Sequence, residues 1–171
     1  VGVGGGSLVY ANTLPRPEES FFESGNWAGL LNWKEKLEPH YKEAERMLGS
    51  NANPGLYDSD EALQRVAHKY GKSDQFQPTH VAVFFGEPEQ EVPDPYFEGS
   101  GPRRSGCNFC GSCMTGCRYN AKNTLDKNYL YLAERNGVEV ISSKKVIRLQ
   151  SLVSDNGKNG YRVTARSATG I

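Results

Sequence analysis

The stretch Ala121-KNTLDKNYLYLAERNGVEV-Ile141, running on through Ser142 to Leu152, decides the fold class. Its first part has a helical period. Leu125, Tyr129, Leu132 and Ala133 fall on one face and Asn136-Gly137 supplies a stop, which predicts a helix from about Ala121 to Arg135. Val138 to Ser142 then reads as a strand. Lys145 to Leu152 and Tyr161 to Ala165 alternate on either side of Asp155-Asn-Gly-Lys-Asn-Gly160, the pattern of a hairpin. Helix, strand and hairpin in that order point to a mixed α/β domain.

Just upstream stand all four cysteines of the chain, in Cys107-Asn-Phe-Cys110-Gly-Ser-Cys113-Met-Thr-Gly-Cys117. The spacing C-x2-C-x2-C-x3-C lets a short loop wrap several thiolates around an iron–sulfur cluster. Gly106, Gly111 and Gly116 permit the positive φ angles that such a loop needs. Two other readings stay open: a disulfide-bonded or merely buried cysteine cluster, and structural zinc. Zinc sites of four cysteines usually split into two separated pairs, which this run does not do. The proline that commonly follows the last cysteine of such a run is replaced by Arg118. With no second run, one cluster is the most the spacing supports, held by three of the cysteines (3Fe-4S) or by all four (4Fe-4S). Arg118, Lys122 and Lys127 either offset the negative charge of a cluster or diphosphate or form a solvated helix face.

Further upstream, residues 86–106 carry four prolines and four glycines and read as a long functional loop. His80 to Phe85 reads as a short buried strand. A helix over 34–48 puts Leu37, Tyr41, Ala44, Met47 and Leu48 inward, with Gly49 as its stop and a kink or break near Pro39. A second helix, Ser59 to Tyr70, is capped by Ser59 or Asp58, turns Leu63, Val66 and Ala67 inward and ends at Gly71. At the start of the chain, Gly2-Val3-Gly4-Gly5-Gly6-Ser7 partly matches G-x-G-x-x-G/A, but no strand precedes it. It implies a close backbone approach to a ligand or a helix, with Leu8-Val9-Tyr10-Ala11 buried behind it.

The 171 residues are 37% hydrophobic with a formal net charge of zero. That allows one domain with a core and argues against a nucleic-acid binder. No apolar run reaches the ~20 residues that span a bilayer. The chain opens on Val1 and ends soon after a strand, and it reads as an internal fragment of a longer protein. Clustered cysteines without a secretory signal fit a reducing cytoplasm.

Two stretches together, Val3-GGGSLVYAN-Thr13 and Ala121–Ile141 continuing to Lys145-VIR-Leu149, resemble the glucose–methanol–choline (GMC) flavoprotein oxidoreductases of the cholesterol oxidase-like kind. The resemblance implies part of a two-domain FAD-binding fold, incomplete at both ends. Residues 1–16 would be the flavin-contact segment, 17–104 a substrate-domain or lid-like insertion, and 105–171 the continued FAD domain with the cysteines. Gly4, Gly5, Gly6 and Ser7 would touch FAD through backbone groups, as N–H groups in a glycine turn suit a pyrophosphate. Val146 matches the position whose backbone meets the adenine. Cholesterol oxidases read GGGSLVN, whereas Tyr10 stands in that last place here, and Asn12 would take over the flavin contact. The His that deprotonates the alcohol lies outside this stretch. His40, His68 and His80 read as surface or packing residues, and Asp58, Asp60, Glu87, Glu89 and Glu91 show no spacing of an acid–base pair.

The cysteine run departs from simple cholesterol oxidases. It resembles the run in membrane-associated GMC sugar dehydrogenases, which hold an iron–sulfur cluster just before the same helix, with Cys107, Cys110, Cys113 and Cys117 in the ligand places. The implied function is hydride removal from a bulky apolar, sterol-like alcohol to FAD, with electrons passed to O2 or to a redox carrier. Peripheral membrane association would suit such a substrate. Phe84-Phe85 and Tyr96-Phe97 would line the alcohol pocket or pack as core. The competing functions are a ferredoxin-like electron carrier and a non-enzymatic module with a structural metal.

Overall fold

The computed structural model describes residues 2–153 and 157–168. In chain order it contains helices α1 (Glu19–Phe22) and α2 (Trp33–Leu48), strand β1 (Asn51–Ala52), helix α3 (Asp58–Lys69) and strands β2 (His80–Val81), β3 (Glu91–Val92) and β4 (Arg104–Ser105). Helix α4 (Tyr129–Arg135) and strands β5 (Lys144–Ser151) and β6 (Tyr161–Ser167) follow. The fold is mixed helix and strand, as expected. Among the described residues the strands form three antiparallel pairs, β1–β2, β3–β4 and β5–β6.

Helix α2 follows its sequence signals closely. Asn32 caps it by accepting from the Glu35 N–H at 3.2 Å, and Gly49 ends it at φ 61°. All five predicted inward residues are buried or half-buried. The break expected at Pro39 does not occur, for the helix runs unbroken through it. Proline removes one intrahelical bond, to the Glu35 carbonyl, and Glu35 is exposed so that water can serve that oxygen.

Helix α3 starts one residue earlier than predicted, with Tyr57 at the cap and the Asp60 carboxylate accepting from its N–H at 3.0 Å. Its apolar stripe is not inward: Leu63 is 60% and Val66 49% exposed, and only Ala67 is half-buried. The short turn Ser73–Gln75 is the element it packs against most, which is too little to cover that face.

The core sits on residues 80–85. Val81, Ala82 and Val83 are buried there with Ala121, and Phe85, Cys107 and Cys117 pack against them. This extended segment is paired on every side. Ala82 N donates to Asn12 O (2.7 Å), Phe84 N to Ala121 O (2.9 Å), Asn123 N to Ala82 O (2.8 Å) and Cys107 N to Phe84 O (3.0 Å). It therefore collects the glycine segment, the cysteine loop and the segment after it around one line of backbone.

The loop 86–106 carries its own order. Glu91 pairs with Ser105 and Val92 with Arg104, and the Asp94 carboxylate accepts from the N–H groups of Tyr96, Phe97, Gly99 and Gly101. The helix predicted from Ala121 begins only at Tyr129, after a turn at Leu125–Lys127 and a cap in which Asn128 Oδ1 accepts from Tyr129 N at 2.6 Å. Residues 121–124 are instead buried, outside any helix, with Lys122 bridged to Val83. The strand predicted at 138–142 is irregular, and strand begins at Lys144. The hairpin is as predicted, with a register shift between Val146 and Arg148; Asp155 and Asn156 of its turn lie outside the described residues. Among the described residues no helix is long and apolar enough to cross a membrane.

Gly106 sets the approach to Cys107. Its N–H donates to Glu87 O at 3.2 Å, and a Cβ there would overlap the backbone of Gly86 and Glu87. Gly106→Ala is expected to cost about 1–3 kcal/mol in denaturant unfolding of the full-length protein, the range for forced overpacking. Gly55→Ala, where nothing lies within 4 Å, should change stability little. Equal effects at the two positions would contradict this packing.

Candidate functional site

The glycine segment folds as a tight turn, Gly5–Leu8, entered through Gly4 at φ 106° and Gly5 at φ 56°, values that favour glycine. Ser7 Oγ donates to Gly4 O at 2.7 Å and accepts from Leu125 N at 3.0 Å, which fastens the turn to the far end of the chain. Around Gly5 and Gly6 a Cβ would meet nothing within 4 Å. The turn thus presents an open backbone face. The residues behind it are less buried than predicted, with Leu8 and Tyr10 half-buried and Val9 61% exposed. Asn12 is buried at φ 64°, a conformation asparagine tolerates, and its carbonyl holds Ala82. Val146 is 59% exposed on the hairpin and has no hydrogen bond to the glycine turn among the described residues.

All four cysteines line one small pocket, together with Val83, Asn108, Tyr119 and Lys122. All four are free; Cys107, Cys113 and Cys117 are half-buried and Cys110 is exposed. The space enclosed is about 20 Å³, roughly one water. Among the described residues no three His, Cys, Asp or Glu groups converge to hold a metal ion. The thiols share a pocket but do not meet at a point.

Two of the sulfurs are already acceptors. Cys107 Sγ accepts from Phe109 N at 3.3 Å, and Cys117 Sγ accepts from Ala121 N and Lys122 N, each at 3.4 Å. Their acidities diverge. Burial pushes the Cys107 thiol up against the Phe109 N–H, and the neighbouring thiols push the same way. Burial also acts on Cys117, but the N–H groups of Lys122, Ala121 and Tyr119 and the charge of Lys127 outweigh it and hold the thiol below its ordinary value.

Lys122 joins the two regions. It is 1% exposed, and its ammonium donates to Leu8 O (3.2 Å) and Cys113 O (2.8 Å) while lying 4.7 Å from the centre of the Tyr10 ring. Tyr10 in turn donates to Asn123 O at 3.0 Å, and burial, with Cys113 adding to it, pushes its hydroxyl up to about 12. Burial lowers the pKa of Lys122, and Cys113 and Cys117 pull it back up. Lys127 is half-buried with its pKa lowered by burial and by Arg104, while Arg118 is exposed. Of the three expected cations, Lys122 and Lys127 reach the site and Arg118 remains solvated.

Arg104 is the residue that periodicity did not single out. Its guanidinium is 1% exposed and donates to Asn120 O (2.9 Å), Ala121 O (2.8 Å), Lys122 O (3.0 Å) and Asn123 Oδ1. It stacks over Tyr96, 5.7 Å from the ring centre. Phe84 packs edge-on against Tyr96 at 6.1 Å and Tyr96 against Phe97 at 6.2 Å, all three half-buried. Phe85 goes elsewhere, stacked on Phe109 of the cysteine loop at 5.7 Å. His40, His68 and His80 are all exposed, the latter two facing Ser73 and Ser50 hydroxyls, as surface residues do.

The glycine turn and the pocket of thiols are thus tied together by one buried cation, and relatives show the family. A cholesterol oxidase from Acinetobacter baumannii is 48% identical over 167 residues, which are 95% of this chain and 30% of that protein. Cholesterol oxidases from Mycobacterium tuberculosis strains CDC 1551 / Oshkosh and ATCC 25618 / H37Rv are each 54% identical over 145 residues, 82% of this chain and 25% of theirs. The chain belongs to this cholesterol oxidase-like family and spans between 25% and 30% of the length of these curated relatives. No family model matches the chain. No solved structure matches it. A match running through nearly the whole chain does not favour a stand-alone electron carrier.

The thiol acidities predict an order of modification. In full-length protein stripped of metal, Cys117 should be alkylated faster than Cys107 near neutral pH, since the two are similarly half-buried and only the thiolate reacts. The gap should narrow as rising pH ionises Cys107. Peptide mass spectrometry over a pH series checks this, and equal rates at neutral pH would contradict the N–H cradle.

Proposed function

We propose that this chain forms part of an FAD-dependent GMC-type oxidoreductase that removes a hydride from a sterol-like or similarly bulky apolar alcohol. The identity with cholesterol oxidases carries this reading. The relatives are cholesterol oxidases, and the sterol class of alcohol comes to this chain by that homology. FAD, when bound, supplies the hydride acceptor. The chain's own share is binding: the open backbone face at Gly5 and Gly6, with Gly4 and Ser7 shaping the turn, suits a flat ring or an anionic diphosphate that must come close to backbone. Asn12 and Val146 are the further flavin contacts the family resemblance supplies. In this division residues 1–16 and 105–171 serve the FAD domain and 17–104 the substrate side.

We propose the cysteine pocket as the place for a second redox group. Four free thiols on one short loop, two of them accepting backbone N–H bonds, match in kind and number what an iron–sulfur cluster needs. Asn108 also lines the pocket, and its Oδ1 is buried without a hydrogen-bond partner. The pocket's space is about 20 Å³ and, among the described residues, no three ligating groups converge, so the arrangement of the loop would have to change for a cluster to bind. A cluster there would make a carrier rather than O2 the electron acceptor.

Full-length protein purified without oxygen should contain iron with matching acid-labile sulfide beside flavin absorption, and its yellow colour should bleach when a sterol alcohol is added anaerobically. A colourless holoprotein would sink the oxidoreductase reading. Flavin without iron would remove only the cluster and return the electrons to O2.

A further inference from the structure

The β5–β6 hairpin has two unlike faces. Residues directly opposite each other on paired strands share a face, and so do alternate residues of one strand. Tyr161, Val163 and Ala165 therefore lie together with Leu149 and Val146 on a largely apolar face. Arg162, Thr164 and Arg166 lie on the other, with their partners Gln150, Arg148 and Lys145. The bulge decides this. Lys145 and Arg148 are three residues apart and would point to opposite sides of a regular strand, but the register shift between Val146 and Arg148 brings both to one side. The second face thus carries four cations and no acid.

All four cations are exposed, and among the described residues none of them forms an ion pair. Lys145 stands directly opposite Arg166, a like-charge pairing that costs a hairpin stability unless an anion lies across it. Apolar groups can cover the first face. They cannot cover the second without counter-charges, so that side meets water or anions. The neutral net charge of the chain conceals the asymmetry: residues 105–171 hold ten of the 20 Lys and Arg but four of the 20 Asp and Glu. An anionic surface is therefore drawn to this side of the sequence and repelled by the rest.

Arg162 and Arg166 are four residues apart on one strand, roughly 13 Å, which is too far for a single phosphate to bridge. An array of phosphates spans it. Apolar side chains stand beside the cations, with Ile147 at the bulge 53% exposed and Leu152 and Val153, just past β5, 51% and 77% exposed. Basic and apolar groups side by side suit the headgroup boundary of a bilayer, whereas an acidic protein answers the cations alone. Resting on the reading above, in which the substrate is a bulky apolar alcohol, we propose that this hairpin face docks on a membrane surface bearing anionic phospholipid headgroups. Such an alcohol partitions out of water into the bilayer, so an enzyme held at the surface meets it there. Each cation contributes about fivefold in affinity, which makes four of them a reversible attachment.

The test is co-sedimentation of full-length protein with vesicles of phosphatidylcholine alone and of phosphatidylcholine with phosphatidylserine. The native protein should bind the anionic vesicles in preference to the neutral ones and release them as salt screens the charges. Arg162→Gln and Arg166→Gln should each weaken binding about fivefold, and Lys36→Gln, which removes an exposed cation on α2, should leave it unchanged. Equal binding to both kinds of vesicle, or anionic binding that survives the two arginine changes together, would overturn the proposal. Protein that ignores both vesicles but binds polyglutamate through the same arginines would overturn it in favour of an acidic protein partner. Anaerobic bleaching of the flavin by a detergent-dissolved sterol alcohol is read separately, and both arginine variants should retain it. Bleaching without vesicle binding defeats the docking alone, while native protein that no sterol alcohol bleaches defeats the substrate reading on which it rests.

Discussion

Everything around the site depends on one buried guanidinium. Arg104 holds four consecutive residues, Asn120 to Asn123, by three carbonyls and one side-chain amide, and so keeps them out of the helix their own pattern favours. That extended run does three things at once. It pairs with Val83 and Phe84, it aims two N–H groups at Cys117 Sγ, and it turns Lys122 inward between the glycine turn and the cysteine loop. A buried charge without an acid partner is costly, but it satisfies several carbonyls with a single group, and losing it would orphan all of them.

This constraint explains which parts of the fold were legible in the sequence. Helix α2 was, because its period, its cap at Asn32 and its stop at Gly49 all act within one segment. The β5–β6 hairpin was as well, since alternation and a glycine turn are local signals. The helix over Ala121–Arg135 was misjudged at its start because Arg104 lies 16 to 19 residues away and no local pattern announces it. Tertiary contacts overrode propensity there. The inward face assigned to α3 failed for the opposite reason: the stripe of Leu63 and Val66 is real, but nothing in the described residues covers it.

The candidate site was legible in its chemistry and not in its wiring. The spacing of the cysteines pointed to a loop wrapped around an iron–sulfur cluster; the four line one pocket, but among the described residues no three groups converge on a metal. The glycine run pointed to a close backbone approach, and Gly5 and Gly6 leave that face clear. What spacing could not say is that the two lie together, joined by Lys122 and by Tyr10, whose hydroxyl reaches Asn123 O. Pairings across more than 100 residues leave no mark in a single sequence. Nor did the charge pattern separate Lys122, which is buried, from Arg118 nearby, which is in water.

The central proposal is that this cholesterol oxidase-like chain carries a metal–thiolate redox group at its cysteine pocket, beside the glycine turn proposed to meet FAD. Anomalous X-ray scattering at the iron edge, from crystals of full-length protein grown without oxygen, tests it most directly. The account predicts an iron peak among Cys107, Cys110, Cys113 and Cys117, drawn together from the positions described above. Four thiols around an iron-free pocket, or a peak at the zinc edge in its place, would contradict it.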